Sequence, residues 1–314
     1  MVETKTILVT GGAGFIGSHL VEKLVNLGHR VLVVDDLSTG KLTNLARGVS
    51  FFHANINGPA IDEVFQKERP AIVFHYAAQI NTTRSLRDPV KDAEVNILGT
   101  LALIEASRQY GVEKFIFSST GGAIYGDPEY TPCGEDHPIG PLSPYGLSKF
   151  VGEQYLELYN RIYRLNYVAL RYGNVYGPRQ DPLGEAGVIA IFANAMLHGQ
   201  QPTIFGDGEQ QRDFIYVEDV VEANLSAMQE DVGGIYNIGT GTGSSVNQVF
   251  QLLGNSMRFR RKPLHAPARL GDVWQISLDC TKAKLKMRWA PKVNLNEGLV
   301  QTAEYFCNLD KSAG

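Results

Sequence analysis

Cysteine is scarce in this chain: its 314 residues hold three, Cys133, Cys280 and Cys307. An odd number at unrelated spacings excludes a disulfide framework and points to a reducing compartment. No cysteine pair and no His-x-x-x-His stands at metal-ligand spacing, so no metal is expected. Positive charge is short as well. The net charge is -4 and the longest basic cluster is Arg260-Arg261-Lys262, too little for a nucleic-acid groove. No stretch approaches the roughly 18 apolar residues of a membrane span, and no apolar leader core follows the first residues. Repeats and low-complexity tracts are missing too. The expectation is a cytoplasmic protein with neither nucleic acid nor membrane as partner.

What is present is an ordinary globular balance, 44% hydrophobic residues, arranged in a telling order. Thr6-Ile7-Leu8-Val9 reads as a buried strand, followed by the turn Thr10-Gly11-Gly12-Ala13-Gly14-Phe15-Ile16-Gly17. Leu20, Leu24 and Leu27 then repeat at helical spacing up to Gly28, and Val31-Leu32-Val33-Val34 ends in Asp35-Asp36. In such a unit Gly11 allows the tight turn, Gly14 lets a pyrophosphate approach the backbone, and Gly17 permits close helix packing. The helix N-terminus presents unpaired amides to the phosphates. Asp35 can accept from an adenosine ribose and would repel a 2′-phosphate, which favours NAD over NADP.

The alternation continues. Strands are expected at 49–52, 71–76, 115–118 and 168–171, and helices at 60–68, 96–110 and around Lys149. That order predicts an α/β fold, a doubly wound parallel sheet with helices on both faces. Strand C-termini of such a sheet share one edge, so Gly11, Asp35, Ala77, Ser118 and Tyr172 should line one crevice. His75, in the run before Ala77, reads as a satisfied structural histidine. After Val175 glycine and proline punctuate the pattern more often. Helices at 188–197, 218–229, 245–253 and 296–308 and a strand at Thr203–Phe205 suggest a smaller lid-like region.

Ser143-Pro144-Tyr145-Gly146-Leu147-Ser148-Lys149 places Tyr145 and Lys149 one helical turn apart on one face. A phenol with a pKa of about 10 is a poor base, but an ammonium beside it favours the phenolate. Such a pair can take a proton from a substrate hydroxyl while the carbon gives hydride to a nicotinamide. Ser118-Ser119-Thr120 adds hydroxyls that can bond the reacting oxygen, and Ser119 and Thr120 are both open candidates.

The Gly-x-x-Gly-x-x-Gly turn combined with Tyr-x-x-x-Lys resembles the extended short-chain dehydrogenase/reductase superfamily. Phe115 to Thr120, Leu170 to Pro178 and Gln211 to Val220 extend the likeness across nearly the whole chain, closest to the UDP-glucose 4-epimerase branch. The resemblance implies a Rossmann-type NAD-binding unit over 1–174, with 214–239 packing back onto it. An interleaved C-terminal substrate unit would span 175–213 and 240–314. It puts Thr120 at the third catalytic position, although Gly121-Gly122-Ala123 is one residue longer than the commonest pattern. It extends the cofactor site to Phe15, Ile16, Asp36, Ser38, Thr39, Gly40, Asn55 and Ile56. Tyr76, Ala78, Gln79 and Asn96 join that site on the same ground. For the UDP-hexose it implies Asn174, Val188, Thr203, Phe205, Arg212, Arg269 and Asp272. Ile276, seven positions after Arg269, would wall the sugar C2 substituent, admitting N-acetylhexosamines in part. A homodimer through the helices around 96–110 and 148–164 is implied as well.

Related dehydratases and decarboxylases carry an acid directly after the hydroxyl residue, where this chain has Gly121 and Gly122. The expected chemistry is therefore oxidation at C4 to a 4-keto sugar, rotation of that sugar and hydride return. Two alternatives stand beside it. A UDP-glucuronate 4-epimerase would need a cation facing C6, for which Arg179 is the nearby candidate. A non-catalytic NAD-binding regulator would more often lack the tyrosine or the lysine.

Overall fold

The computed structural model describes residues 4–183, 187–268 and 273–313. Its centre is a parallel sheet of seven strands: β1 Thr6–Thr10, β2 Arg30–Asp35, β3 Ser50–His53, β4 Ile72–His75, β5 Lys114–Thr120, β6 Tyr167–Tyr172 and β7 Gly234–Ile238. Their spatial order is β3-β2-β1-β4-β5-β6-β7, so the winding reverses between β1 and β4. At that reversal the loops leaving two neighbouring strands part to opposite faces and open a crevice.

Both faces of the sheet are buried, which is why its strands read as continuous apolar runs rather than alternating ones. Ile7, Val9, Val31 and Val33 point to one face, where they meet Leu20 and Leu24 of helix α1 (Phe15–Asn26). Val220, Val221 and Leu225 of the helix Val217–Gln229 complete that layer. Leu8, Leu32, Val34 and Val73 point to the other face, against α2 (Ala60–Glu68), the helix Gly99–Tyr110 and the helix Pro144–Tyr163. A separate core of Ile189, Phe192, Phe214, Val249, Leu299 and Phe306 holds the C-terminal helices together.

The expected elements are present, with three local differences. The strand β7 was not legible: Gly233-Gly234 opens it, and an asparagine interrupts its short apolar run. It pairs with β6 in register Tyr236↔Leu170 and brings the later chain back to the sheet. The helix expected to begin at Asn96 starts as a wider turn over Glu94–Leu98 and becomes regular at Gly99. Wider turns of this kind often mark functional segments. Ser245, expected inside its helix, caps it instead, accepting from Gln248 N at 3.1 Å.

One buried ion pair ties the central strands to the helix Pro144–Tyr163. Arg171, 2% exposed in β6, meets the fully buried Glu153 through Nε at 2.9 Å and Nη2 at 2.6 Å. Its other nitrogen Nη1 donates to Tyr125 Oη at 2.9 Å, and that phenol donates to Asn237 of β7 at 2.8 Å. Burial alone would lower the guanidinium pKa, but the bonds and charge of Glu153 outweigh it and raise it. Arg171→Met should cost about 3–5 kcal/mol, because it strands a buried carboxylate. Replacing Glu153 by Leu in addition should lose less. Denaturant unfolding of the two variants checks the order.

Candidate active site

The crevice at the strand C-termini encloses about 360 Å³. One end is built by the glycine turn. Gly11 has φ +68°, and a Cβ there would sit 2.6 Å from Ala77 N, so a side chain is excluded twice. A Cβ on Gly17 would lie 2.3 Å from Gly11 O, the close helix approach expected of it. Gly14 meets only Gly11 O, at 3.2 Å, which leaves its other side open for an anion above the start of α1.

Asp35, at the end of β2, accepts from Ala13 N at 2.9 Å and Leu37 N at 2.8 Å. Burial raises its pKa, and these two amides counter the rise, holding the carboxylate as an acceptor. Asp36 accepts from Ser38 N and from Asn55 Nδ2, which joins the rim at residues 36–39 to that at 55–56. Phe15, Ile16, Thr39, Ile56, Tyr76 and Ala78 line the same cavity. A cradle of open glycine backbone with an oriented carboxylate one strand away fits a dinucleotide.

The other end carries the reactive groups. Ser143 caps the helix Pro144–Tyr163, accepting from Gly146 N at 3.2 Å, and Pro144 preorganises its first turn. Tyr145 and Lys149 follow on the cavity wall. Lys149 Nζ donates to Ser118 O at 2.9 Å and lies 4.8 Å from the Phe117 ring centroid. Burial pulls its pKa down to about 8, while Asp92 and Glu153 oppose the fall.

The two open hydroxyls separate. Ser119 Oγ donates to Glu153 Oε1 at 2.5 Å and is spent on the buried ion pair. Thr120 Oγ1 only caps a short helix, accepting from Ala123 N at 3.4 Å, and no described acceptor takes its own proton. Both residues line the crevice, so they differ in bonding rather than in access. Tyr172 is tied to Asn224 and to Tyr76, whose hydroxyl lies 3.3 Å away.

Several expected site residues take other places. Gly40 packs against Asp35, where a Cβ would come within 2.8 Å of Oδ1. Gln79 and Asn96 lie behind the lining and bond one another through their backbone and side-chain amides. Ile276 is 2% exposed in a cluster with Tyr125, Cys133 and Leu278 and is not among the residues that line the crevice. Arg179, the candidate cation of the uronate reading, bonds Glu22 and Ser18 of α1. His75 bridges Thr10 and Thr100 hydroxyls at 2.8 and 2.9 Å, a structural role as expected.

Asn174 lines the crevice, and Val188 follows the lining residue Gly187. Arg212 sits on the short strand Gln211–Arg212 and donates to Gln211 O. Thr203–Phe205 pairs with Leu264–Ala266, the strand leading to Arg269 and Asp272, which lie outside the described residues. Sequence reasoning missed Gln180, whose Oε1 is buried on the cavity wall without a partner among the described residues, and Val95, placed there by the wide turn. An orphan amide oxygen is an acceptor that a bound hydroxyl can satisfy.

The model of the NAD dependent epimerase/dehydratase family matches residues 7–239. A putative UDP-glucose 4-epimerase of Methanocaldococcus jannaschii is 47% identical, over 98% of this chain and all of the relative. The crystal structure of a Thermotoga maritima UDP-glucose 4-epimerase with UDP-glucose superposes with a TM-score of 0.96 at 52% identity, covering 98% of this chain and 100% of that one. A Thermus thermophilus UDP-glucose 4-epimerase complexed with NAD gives 0.91 at 46%, covering 96% and 98%.

The separation of the hydroxyls predicts opposite phenotypes. Thr120→Val should lower kcat by roughly 10²-fold, the scale of a lost proton-handling group. Ser119→Ala should keep most of the turnover and lose about 1–2 kcal/mol of stability at the Glu153 carboxylate. Steady-state rates and unfolding curves of the two variants check this.

Proposed function

The chain belongs to the NAD dependent epimerase/dehydratase family, and on that premise we propose that it is an NAD-dependent UDP-glucose 4-epimerase, interconverting UDP-glucose and UDP-galactose. One observation carries the reading: Tyr145, Lys149 and Thr120 line the same crevice as the glycine turn and Asp35. When bound, NAD supplies a hydride acceptor and donor at its nicotinamide ring, so the cycle has no net redox change. The glycine turn would hold its pyrophosphate and Asp35 its adenosine ribose.

Tyr145 takes the proton of the C4 hydroxyl and later returns it. Lys149, as an ammonium, stabilises the phenolate, and Thr120 hydrogen-bonds the reacting oxygen. The absence of an acid beside Thr120 has a steric reason in part: a Cβ on Gly121 would lie 2.6 Å from the Leu278 side chain. Among the described lining residues the carboxylates are Asp35 and Asp36, both at the opposite end. No described lining residue beside Thr120 delivers the proton that elimination of water requires, which favours epimerisation. Asn174, Arg212, Arg269 and Asp272 are assigned to the nucleotide sugar on the family pattern. The division into a cofactor unit and an interleaved substrate unit is part of the same reading.

The pathway setting is galactose metabolism, in the cytoplasm. Supporting this, the three cysteines are free, and no helix among the described residues is long and apolar enough to cross a membrane. The assembly is a homodimer. Leu98, Ile162 and Tyr163 are 57%, 57% and 52% exposed on the helical face expected to pair, apolar surface that a second copy would cover. Sedimentation at micromolar concentration should give a dimer; monomer alone contradicts it.

Tyr145→Phe keeps the ring and removes only the ionisable oxygen. It should abolish conversion of UDP-galactose to UDP-glucose while the purified variant still carries NAD. Retained turnover would overturn the assignment of the base.

A further inference from the structure

The mechanism leaves unused one buried titratable group that bonds residues behind both sides of the crevice. Asp92, in the short helix Pro89–Ala93, is 1% exposed. Its donors are oriented unambiguously. Asn81 N donates to Gln79 Oε1 at 2.6 Å, so the Gln79 amide nitrogen must face Asp92 Oδ1, 2.8 Å away. Gln79 N donates to Asn96 Oδ1, so Asn96 Nδ2 faces Gln79 O and, at 3.0 Å, the same Asp92 Oδ1. Ser148 Oγ donates to Asp92 Oδ2 at 2.6 Å. Asp92 thus receives donors on both carboxyl oxygens, two on Oδ1 and one on Oδ2.

Its charge has no cation bonded to it. Glu153, the other buried acid beside Lys149, is neutralised by Arg171, whereas no lysine or arginine among the described residues bonds Asp92. The cation it acts on is Lys149, the residue after Ser148. Lys149 also faces Ser118 O and the Phe117 ring from β5, Tyr145 and Glu153 from its own helix, and from β4 a His75 kept neutral between two threonine hydroxyls. Among the described residues of that shell, Asp92 is thus the carboxyl group without a bonded cation.

We infer that Asp92 is a positioning residue: its carboxylate clasps the cofactor wall at Gln79 to the catalytic helix at Ser148, and its charge holds Lys149 as an ammonium. The inference rests on the reading that Tyr145 and Lys149 carry the proton transfer. It is not a substrate contact, since Asp92 lies outside the crevice lining.

Asp92→Asn separates charge from shape. The amide oxygen still accepts from Gln79 and Asn96, and the amide nitrogen can donate to Ser148 Oγ. Without the charge, Lys149 should lose its proton at lower pH, moving the alkaline limb of kcat down by about one unit. In the cofactor-free chain, the phenolate absorbance assigned to Tyr145 by difference against Tyr145→Phe should move to higher pH. A kcat that falls evenly with neither titration moved overturns the charge role.

Ser148→Ala leaves Asp92 in place and cuts the clasp. It should lower the NAD retained per chain after desalting several-fold without moving the alkaline limb, and unchanged retention overturns the clasp. Turnover surviving in Tyr145→Phe would instead sink the underlying reading. Turnover lost there, with Asp92→Asn titrating as wild type does, would sink this inference alone.

Discussion

Burial of the Lys149 ammonium is the constraint around which the site is organised. A charge with 3% exposure is costly unless its surroundings replace water. The replacement comes from a backbone carbonyl, an aromatic face and two carboxylates, each supplied by a defined element. One of those acids must itself be balanced, which brings in Arg171, and Arg171 in turn fixes Tyr125 and Asn237. From Glu153, which acts on Lys149 through its charge alone, bonded side chains run to the sheet edge at β7. Such a network is stable only when every member is satisfied, so a change at its far end is felt at the lysine.

The sheet explains why these parts can meet. Parallel strands deliver all their C-termini to one edge, and the reversal between β1 and β4 opens that edge. The contact of Gly11 with Ala77 sits at this reversal, where the loops after β1 and β4 pass within van der Waals distance. No L side chain fits there, which is why the glycine pattern carries so much information. The catalytic helix then needs only the right register, and its proline and serine cap set where Tyr145 begins.

Legibility followed the range of the interactions. The glycine turn, Asp35 and the Tyr145–Lys149 pair are local patterns with fixed spacing, and they were read correctly as one crevice. His75 was also read correctly, because a histidine inside an apolar run has few roles besides bridging buried hydroxyls. The strand Gly234–Ile238 was missed because glycines and an asparagine weaken its apolar run, and pairing with β6 overrides that weakness. Ile276 was placed by counting from Arg269 on the family pattern, and Arg179 was named as the nearby cation. What decides their positions is tertiary: Ile276 fills a gap beside Tyr125, and Arg179 is drawn to Glu22 on α1. Asp92 left no signal at all, since an acid in a short helix after Asp88-Pro89 looks like a solvated face.

The two halves of the crevice also differ in how they are built. The dinucleotide half rests on strand ends locked into a large sheet. The half expected to hold the sugar rests on short pairings, Thr203–Phe205 with Leu264–Ala266 and Gln211–Arg212 with Ser244–Ser245. Short pairings bury little apolar surface and tolerate exchange of their side chains. The reaction, in contrast, is set on the rigid half by what surrounds Thr120: a Gly121 that Leu278 keeps bare and a Gly122 whose nearest neighbour, Asn174 Oδ1, would lie 3.9 Å from an added Cβ. A proton donor at Gly121 would first have to displace Leu278, whereas Gly122 has room for one. A side chain is therefore obstructed by Leu278 at the first position and unobstructed at the second. Restraint at the second position is chemical: an added carboxylate there would sit within reach of the Asn174 amide and alter the charge beside Thr120 that bare glycine leaves neutral.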